Sequence, residues 1–242
     1  MTMKKSNFII ILWGGLMLSL LLVLFIVSKY IMENQSYDYN SKKYNLSNIS
    51  TIVLDNQTKC YVSSGDNTVV NFEFWGKDEN LPEKLCIKND TLYLNYQFNK
   101  PETNIHIYCK NIKKFIVKNK SNLTINKYAS DCLKVNVFSK SHVSLRCGEN
   151  RNEEGTKNIL NIDFKIVEHS MLSVTNSKLN SFKVVANNSL ISTSYSEINI
   201  INLDLRSGSQ FYENDIKCTE SFQLKSDNKS KYSIQYNYNE KK

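Results

Sequence analysis

The chain has 242 residues, room for one domain and a membrane segment, and its 31 basic and 23 acidic residues give a formal net charge of +8. Seven Gly and two Pro are too few for a collagen-like or disordered body. A positive balance suits nucleic acid, anionic lipid or acidic glycan, but the lysines recur in almost every segment. That distribution describes a solvated surface and excludes a nucleic-acid groove.

From Phe8 to Val27 the sequence FIIILWGGLMLSLLLVLFIV carries no charge. Its 20 residues, at about 1.5 Å rise each, match the roughly 30 Å hydrocarbon core of a bilayer. The run is longer than the apolar stretch of a cleavable signal peptide, and no A-x-A-like site follows it. Lys4 and Lys5 flank one side against Lys29 on the other, which places the N-terminus in the cytoplasm. Residues 1–28 are therefore expected to be a short tail and a signal anchor. The protein is expected to pass once through the cytoplasmic (inner) membrane, with everything after the anchor extracytoplasmic. Residues 29–48 are polar and aperiodic, and read as a linker.

Strand signals begin at Ile49. STIVLDNQTKCYVSSG and NTVVNFEFWG are β-type runs parted by the turn cluster Ser63-Ser64-Gly65-Asp66, and Asn89-Asp90 splits KLCIKNDTLYLNY in the same way. No soluble segment has a 3.6-residue apolar stripe, so the class is all-β. From Ser121 onward a register emerges. Ser121, Ser141, Ser170, Ser189, Ser209 and Ser230 each end a small polar cluster, in steps of 20, 29, 19, 20 and 21 residues. The long step contains the charged, glycine-bearing stretch Gly148 to Asn158, which reads as a loop inserted into one coil. A period near twenty, with a strand in each half, predicts a β-helix, or β-solenoid, over residues 49–242. Two places after each serine stand Leu123, Val143, Leu172, Ile191, Phe211 and Tyr232, expected to form one internal ladder. Roughly nine coils, spaced about 4.8 Å apart, would make a rod about 40–45 Å long.

On these segments, namely IVLDNQTKCYVSSGDNTVVNF, KNDTLYLNY, IHIYCKNIKKFIVKNKSNLTI and the serine-marked coils, the chain resembles the auto-transporter adhesin head family called GIN, found in Bacteroidetes envelopes. The resemblance covers about Ile49 to Tyr236 and implies a surface-located β-helix with Ser-Gly-Ser at its turns and no established catalytic residues. Only Ser207-Gly208-Ser209 keeps that tripeptide; other turns carry Lys-Ser, His-Ser or Asn-Ser. Asn188 can take the left-handed conformation that Gly supplies, whereas Lys140 and His169 do so less readily.

Few constellations suggest chemistry. Glu168-His169-Ser170 holds the residue types of a hydrolase triad, but neighbours on a strand point to opposite faces and cannot form the relay. His106, His142 and His169 lack metal-ligand spacing, and no cofactor motif occurs. The six Cys allow up to three disulfides in an extracytoplasmic domain, or serve as small buried apolar residues; Cys109 and Cys132, 23 apart, are the candidate pair. The most basic stretch offers Lys110, Lys113, Lys114, Lys118 and Lys120 as polyanion contacts, with an ordinary solvated face as the alternative. The expected function is a non-catalytic, adhesin-like head presenting a surface to a glycan or an envelope protein. A polysaccharide-acting enzyme and an envelope scaffold are the competing readings.

Overall fold

The structure, a computed structural model, describes residues 5–34, 39–75, 81–96, 104–110, 112–128, 130–147 and 160–233. Contacts divide the chain into two units, one holding the N-terminal helix and the other the strands. Helix α1 spans Lys5–Asn34, longer at both ends than the apolar run. Its window Trp13–Tyr30 has mean hydropathy 1.8 and is wholly exposed, so it is long and apolar enough to cross a membrane. The hydroxyls of Ser19 and Ser28 donate to the carbonyls of Leu16 (2.8 Å) and Phe25 (3.3 Å), which satisfies both within the helix.

The second unit is all-β. Its strands are β1 (Tyr39–Leu46), β2 (Thr51–Asp55), β3 (Lys59–Ser64), β4 (Thr68–Trp75), β5 (Cys86–Lys88), β6 (Thr91–Asn95), β7 (Asn104–Cys109), β8 (Lys114–Val117) and β9 (Asn122–Asn126). Then follow β10 (Cys132–Val137), β11 (His142–Arg146), β12 (Leu160–Val167), β13 (Met171–Thr175), β14 (Lys178–Asn187), β15 (Leu190–Arg206), β16 (Gln210–Ser226) and β17 (Lys231–Ser233). β1 falls within the stretch read as linker, and it pairs with β4.

Most of the strands form two parallel ladders. The first runs β6–β2–β8–β10–β12–β14 and ends in the later parts of β15 and β16. The second runs β7–β3–β9–β11–β13, then the early parts of β15 and β16, then β17. β15 and β16 pass from one ladder to the other at Tyr195 and Asp215, whose φ values are 50° and 53°. One strand from each ladder makes a level, and levels lie about 4.8 Å apart. At the β6/β7 level the pairing turns antiparallel, with β5 on β6 and β4 on β7.

From β8 onward chain order and spatial order agree. Leu123, Val143, Leu172, Ile191, Phe211 and Tyr232 are in direct register in that sequence. All but Tyr232 are buried. Tyr232 is 54% exposed because it lies on the last described level, with no described strand beyond it. The inserted loop at 148–158 lies outside the described residues.

Upstream the order departs from coil-after-coil succession. The β2/β3 level lies between β6/β7 and β8/β9, so Cys60 pairs with Ile105 on one side and Leu123 on the other. After β3 the chain leaves at Gly65, whose N–H donates to the Cys109 carbonyl (3.2 Å). A Cβ there would lie 2.8 Å from the Tyr108 Cβ, so the close approach needs glycine. The link from β7 to β8 must then pass the level that β3 occupies. The fully buried Tyr128 holds this link, its hydroxyl donating to the Ile112 carbonyl at 2.8 Å.

Alternate residues of both ladders point into one apolar core. In the first ladder the inward column is Leu92–Ile52–Phe115–Val135–Phe164–Val184–Leu203, buried throughout. Each such side chain contributes about 1.5–3 kcal/mol of burial. Asparagines form a second, polar column. The Asn180 amide donates to Asn161 Oδ1 (2.8 Å), Asn199 donates to Asn180 Oδ1 (3.3 Å), and the Thr219 hydroxyl donates to Asn199 Oδ1 (2.7 Å). This ladder repeats at the level spacing and explains part of the chain's asparagine richness.

Asn180→Ala severs two links of that ladder and is expected to lower stability by about 1–3 kcal/mol. Phe182→Ala, two residues away in the core, should cost about 3–5 kcal/mol. Urea titration of both variants measures the difference, and equal losses would contradict these assignments.

Candidate functional site

Between its two strands nearly every level turns through consecutive residues with positive φ. The values are 55° and 62° at Asn56-Gln57, 56° and 62° at Asn119-Lys120, and 55° and 61° at Ser139-Lys140. They are 61° and 59° at Glu168-His169 and 54° and 79° at Ser207-Gly208, while Asn188 is alone at 49°. Two such residues make a type I′ turn. The closing bonds are present from Thr58 N–H to the Asp55 carbonyl (3.2 Å), Ser121 to Lys118 (3.3 Å), Ser141 to Phe138 (3.3 Å) and Ser209 to Arg206 (3.1 Å).

The residue after each turn points inward: Thr58, Ser121, Ser141, Ser170, Ser189 and Ser209 are all buried. These are the serines that mark the sequence, joined by Thr58. Their size suits a corner, and the hydroxyls of Ser170 and Ser209 accept from backbone N–H groups of adjacent levels. Ser141 N–H donates to Ser170 Oγ and Ser189 N–H to Ser209 Oγ, each at 3.3 Å.

The turns also bond to one another. N–H donors at Gln57, Lys120, Lys140 and His169 reach the carbonyls of Asn119 (2.9 Å), Ser139 (3.0 Å), Glu168 (3.0 Å) and Asn188 (2.8 Å). Side chains of four successive turns thereby line an open groove of about 450 Å³, bounded by Asn56, Gln57, Asn119, Lys120, Ser139, Lys140, Glu168 and His169. Lys120 and Lys140 hold equivalent positions on adjacent turns, are exposed, and have no ion pair among the described residues. The carboxylates nearby are engaged. Asp55 takes Lys118 Nζ at 2.9 Å and the Asn119 amide at 2.6 Å. Burial pushes its pKa up, but these partners and the Asn56 N–H outweigh that and hold it below the usual carboxylate range. Glu168 Oε2 accepts the Ser139 hydroxyl at 2.8 Å.

The left-handed conformation costs a residue bearing a Cβ roughly 1–2 kcal/mol. Lys120, Lys140 and His169 all adopt it, Lys140 and His169 against the expectation from sequence. Strain of this kind is worth testing for a functional cause.

The sequence-derived basic cluster does not assemble as one face. Lys110 and Lys113 lie on the link between β7 and β8, Lys114 is outward on β8 beside Lys134, and Lys118 is tied to Asp55. Only Lys120 enters the groove, where the structure adds Lys140 and His169 from turns 20 and 49 residues further on. Cys109 and Cys132 are not brought together. They belong to different ladders three levels apart, Cys109 is buried while Cys132 is exposed, and both thiols are free. Burial pushes the pKa of Cys109 and of Cys147 up to about 12. Glu168, His169 and Ser170 engage Ser139, Asn188 and Ser141 respectively, and form no relay. Among the described residues no group of three His, Cys, Asp or Glu is placed to hold a metal ion.

No family model matches the chain, and no curated protein matches it. Among solved structures the chain is similar to a candidate adhesin from Bacteroides fragilis, at 14% identity and TM-score 0.43 over 82% of this chain and 98% of that one. A candidate lipid binding protein from Parabacteroides distasonis has 12% identity and TM-score 0.42 over 81% and 97%. A candidate cell adhesion protein from Clostridium sporogenes has 10% identity and TM-score 0.36 over 74% and 100%. None of these three scores reaches 0.5.

Lys140→Gly relieves the left-handed strain and is expected to raise stability by about 0.5–1 kcal/mol, read from the urea midpoint. A lower midpoint would show that the lysine stem packs favourably and that the turn is not strained.

Proposed function

We propose that the chain is an N-terminally anchored envelope protein whose strand unit is a non-catalytic β-solenoid head of the GIN type. The head presents an adhesin-like surface to a glycan. Residues 1–28 form the cytoplasmic tail and the inner-membrane anchor, and the extracytoplasmic head takes in β1 as well as residues 49–242. In support of the solenoid, partners from β8 onward are offset by 19 to 21 residues, or 29 across the insertion. In support of the topology, α1 is of membrane-spanning length and Lys4 and Lys5 precede its apolar part.

The observation that carries the binding role is the groove over the stacked turns. Amide, hydroxyl and ammonium groups converge there on a rigid, hydrogen-bonded edge. Sugars are recognised by groups of this kind when the protein holds them in place. Full-length protein in detergent micelles, tested against an array of neutral and acidic glycans, is expected to bind one class saturably and release no shorter product. Product release would make the protein a polysaccharide-acting enzyme. Absence of glycan binding, with mass rising with concentration, would make it a scaffold.

A further inference from the structure

We infer that the turn groove is a subsite for a carboxylate-bearing polysaccharide, with Lys120 and Lys140 as twin contacts for its acid groups; this rests on the glycan-binding reading above. The two ammonium groups stand on adjacent turns joined by the bond from Lys120 N–H to the Ser139 carbonyl (3.0 Å). One level separates the turns, about 4.8 Å. Neither lysine has an ion pair among the described residues: Asp55 is held by Lys118 and Asn119, and Glu168 accepts from the Ser139 hydroxyl. The groove thus holds two ammonium groups without an ion pair among the described residues, beside the single carboxylate of Glu168.

The rest of the lining narrows the ligand. Asn56, Gln57, Asn119 and Ser139 are neutral donors and acceptors, the chemistry that sugar hydroxyls need. Glu168 faces the same groove, and only its Oε2 is occupied by the Ser139 hydroxyl. A fixed carboxylate repels a strand that carries several anionic groups on each sugar. It tolerates a chain with one carboxylate per sugar, set among hydroxyls. The arrangement therefore favours a uronate-type glycan over a densely sulfated one.

The conformation of the turns adds an independent observation. Glycine or asparagine relieves the left-handed geometry at Gly208 and Asn188, yet lysine stands in it at both contact positions. Gln57 occupies the equivalent place one level away with φ of 62°. Lys→Gln replacement is accordingly compatible with the backbone at 120 and 140.

The test uses full-length protein in detergent micelles with galacturonate oligomers, the same oligomers as methyl esters, and heparin. Galacturonate is expected to bind at least tenfold more tightly than its ester and more tightly than heparin. The double variant Lys120→Gln/Lys140→Gln should weaken galacturonate binding at least tenfold. Lys134→Gln/Lys165→Gln, which removes the same charge from an exposed face of neighbouring levels, should change it less than twofold. Equal binding of acid and ester would overturn the inference while leaving glycan binding intact. So would tighter binding of heparin, equal losses in the two double variants, or binding of neutral glycans alone. Failure of every glycan on the array would overturn the underlying reading instead.

Discussion

Most levels bend where two residues hold positive φ, and at four successive turns the N–H of the second donates to a carbonyl of the adjacent turn. This repeated bond fixes the separation and alignment of successive levels at their most curved point. Once the turns are aligned, the residue after each must point inward, and the strands that follow inherit a common phase. The inward columns of Leu, Val, Ile and Phe are consequences of that phase. So is the outward display of lysine, asparagine and glutamate along the turn edge. Stability and surface chemistry therefore share one origin, since the interaction that stacks the core also spaces the groups that face solvent.

Polar residues inside this unit are mostly structural. The corner serines Ser170 and Ser209 accept from backbone N–H groups of neighbouring levels, Tyr128 ties down the link from β7 to β8, and the Asn161–Asn180–Asn199 column bonds along the stack. A buried polar group left unpaired costs about 1–3 kcal/mol, so these networks restrict which level lies on which. That restriction matters most where chain order and spatial order part. Insertion of β2/β3 between β6/β7 and β8/β9 sets Asn56 and Gln57 beside Asn119 and Lys120. Without it the groove would have a different wall.

Much of this was legible in the sequence, because a side chain's phase on a parallel ladder is a local property. The serine spacing set the register from Ser121 onward, and the apolar residue two places later identified an inward column. The position of β2/β3 was not legible. Nothing local distinguishes a level that follows its predecessor from one inserted beneath it, and the determinants, Gly65 and Tyr128, act only after folding. The groove was half legible. Lys120 lay in the basic run, but Lys140 and His169 join it only through turn stacking, and the other lysines of the run diverge because strand phase sends them elsewhere. The asparagine column escaped notice for a similar reason: Asn161, Asn180 and Asn199 are 19 apart in a chain rich in Asn, so their alignment shows only with the register in hand.

The most direct test of this account is which strand borders β9. Tyr61 and Thr124 are register partners, whereas His106 lies one level beyond Tyr61. Paired cysteines replacing Tyr61 and Thr124, in a background where the exposed Cys86 and Cys132 are serine, should oxidise to a disulfide, because one level separates their Cα atoms by about 4.8 Å. Cysteines replacing His106 and Thr124 should remain reduced, being about 9.6 Å apart. Efficient bonding of the 106–124 pair, with none at 61–124, would show simple succession of levels and would dismantle the groove as described.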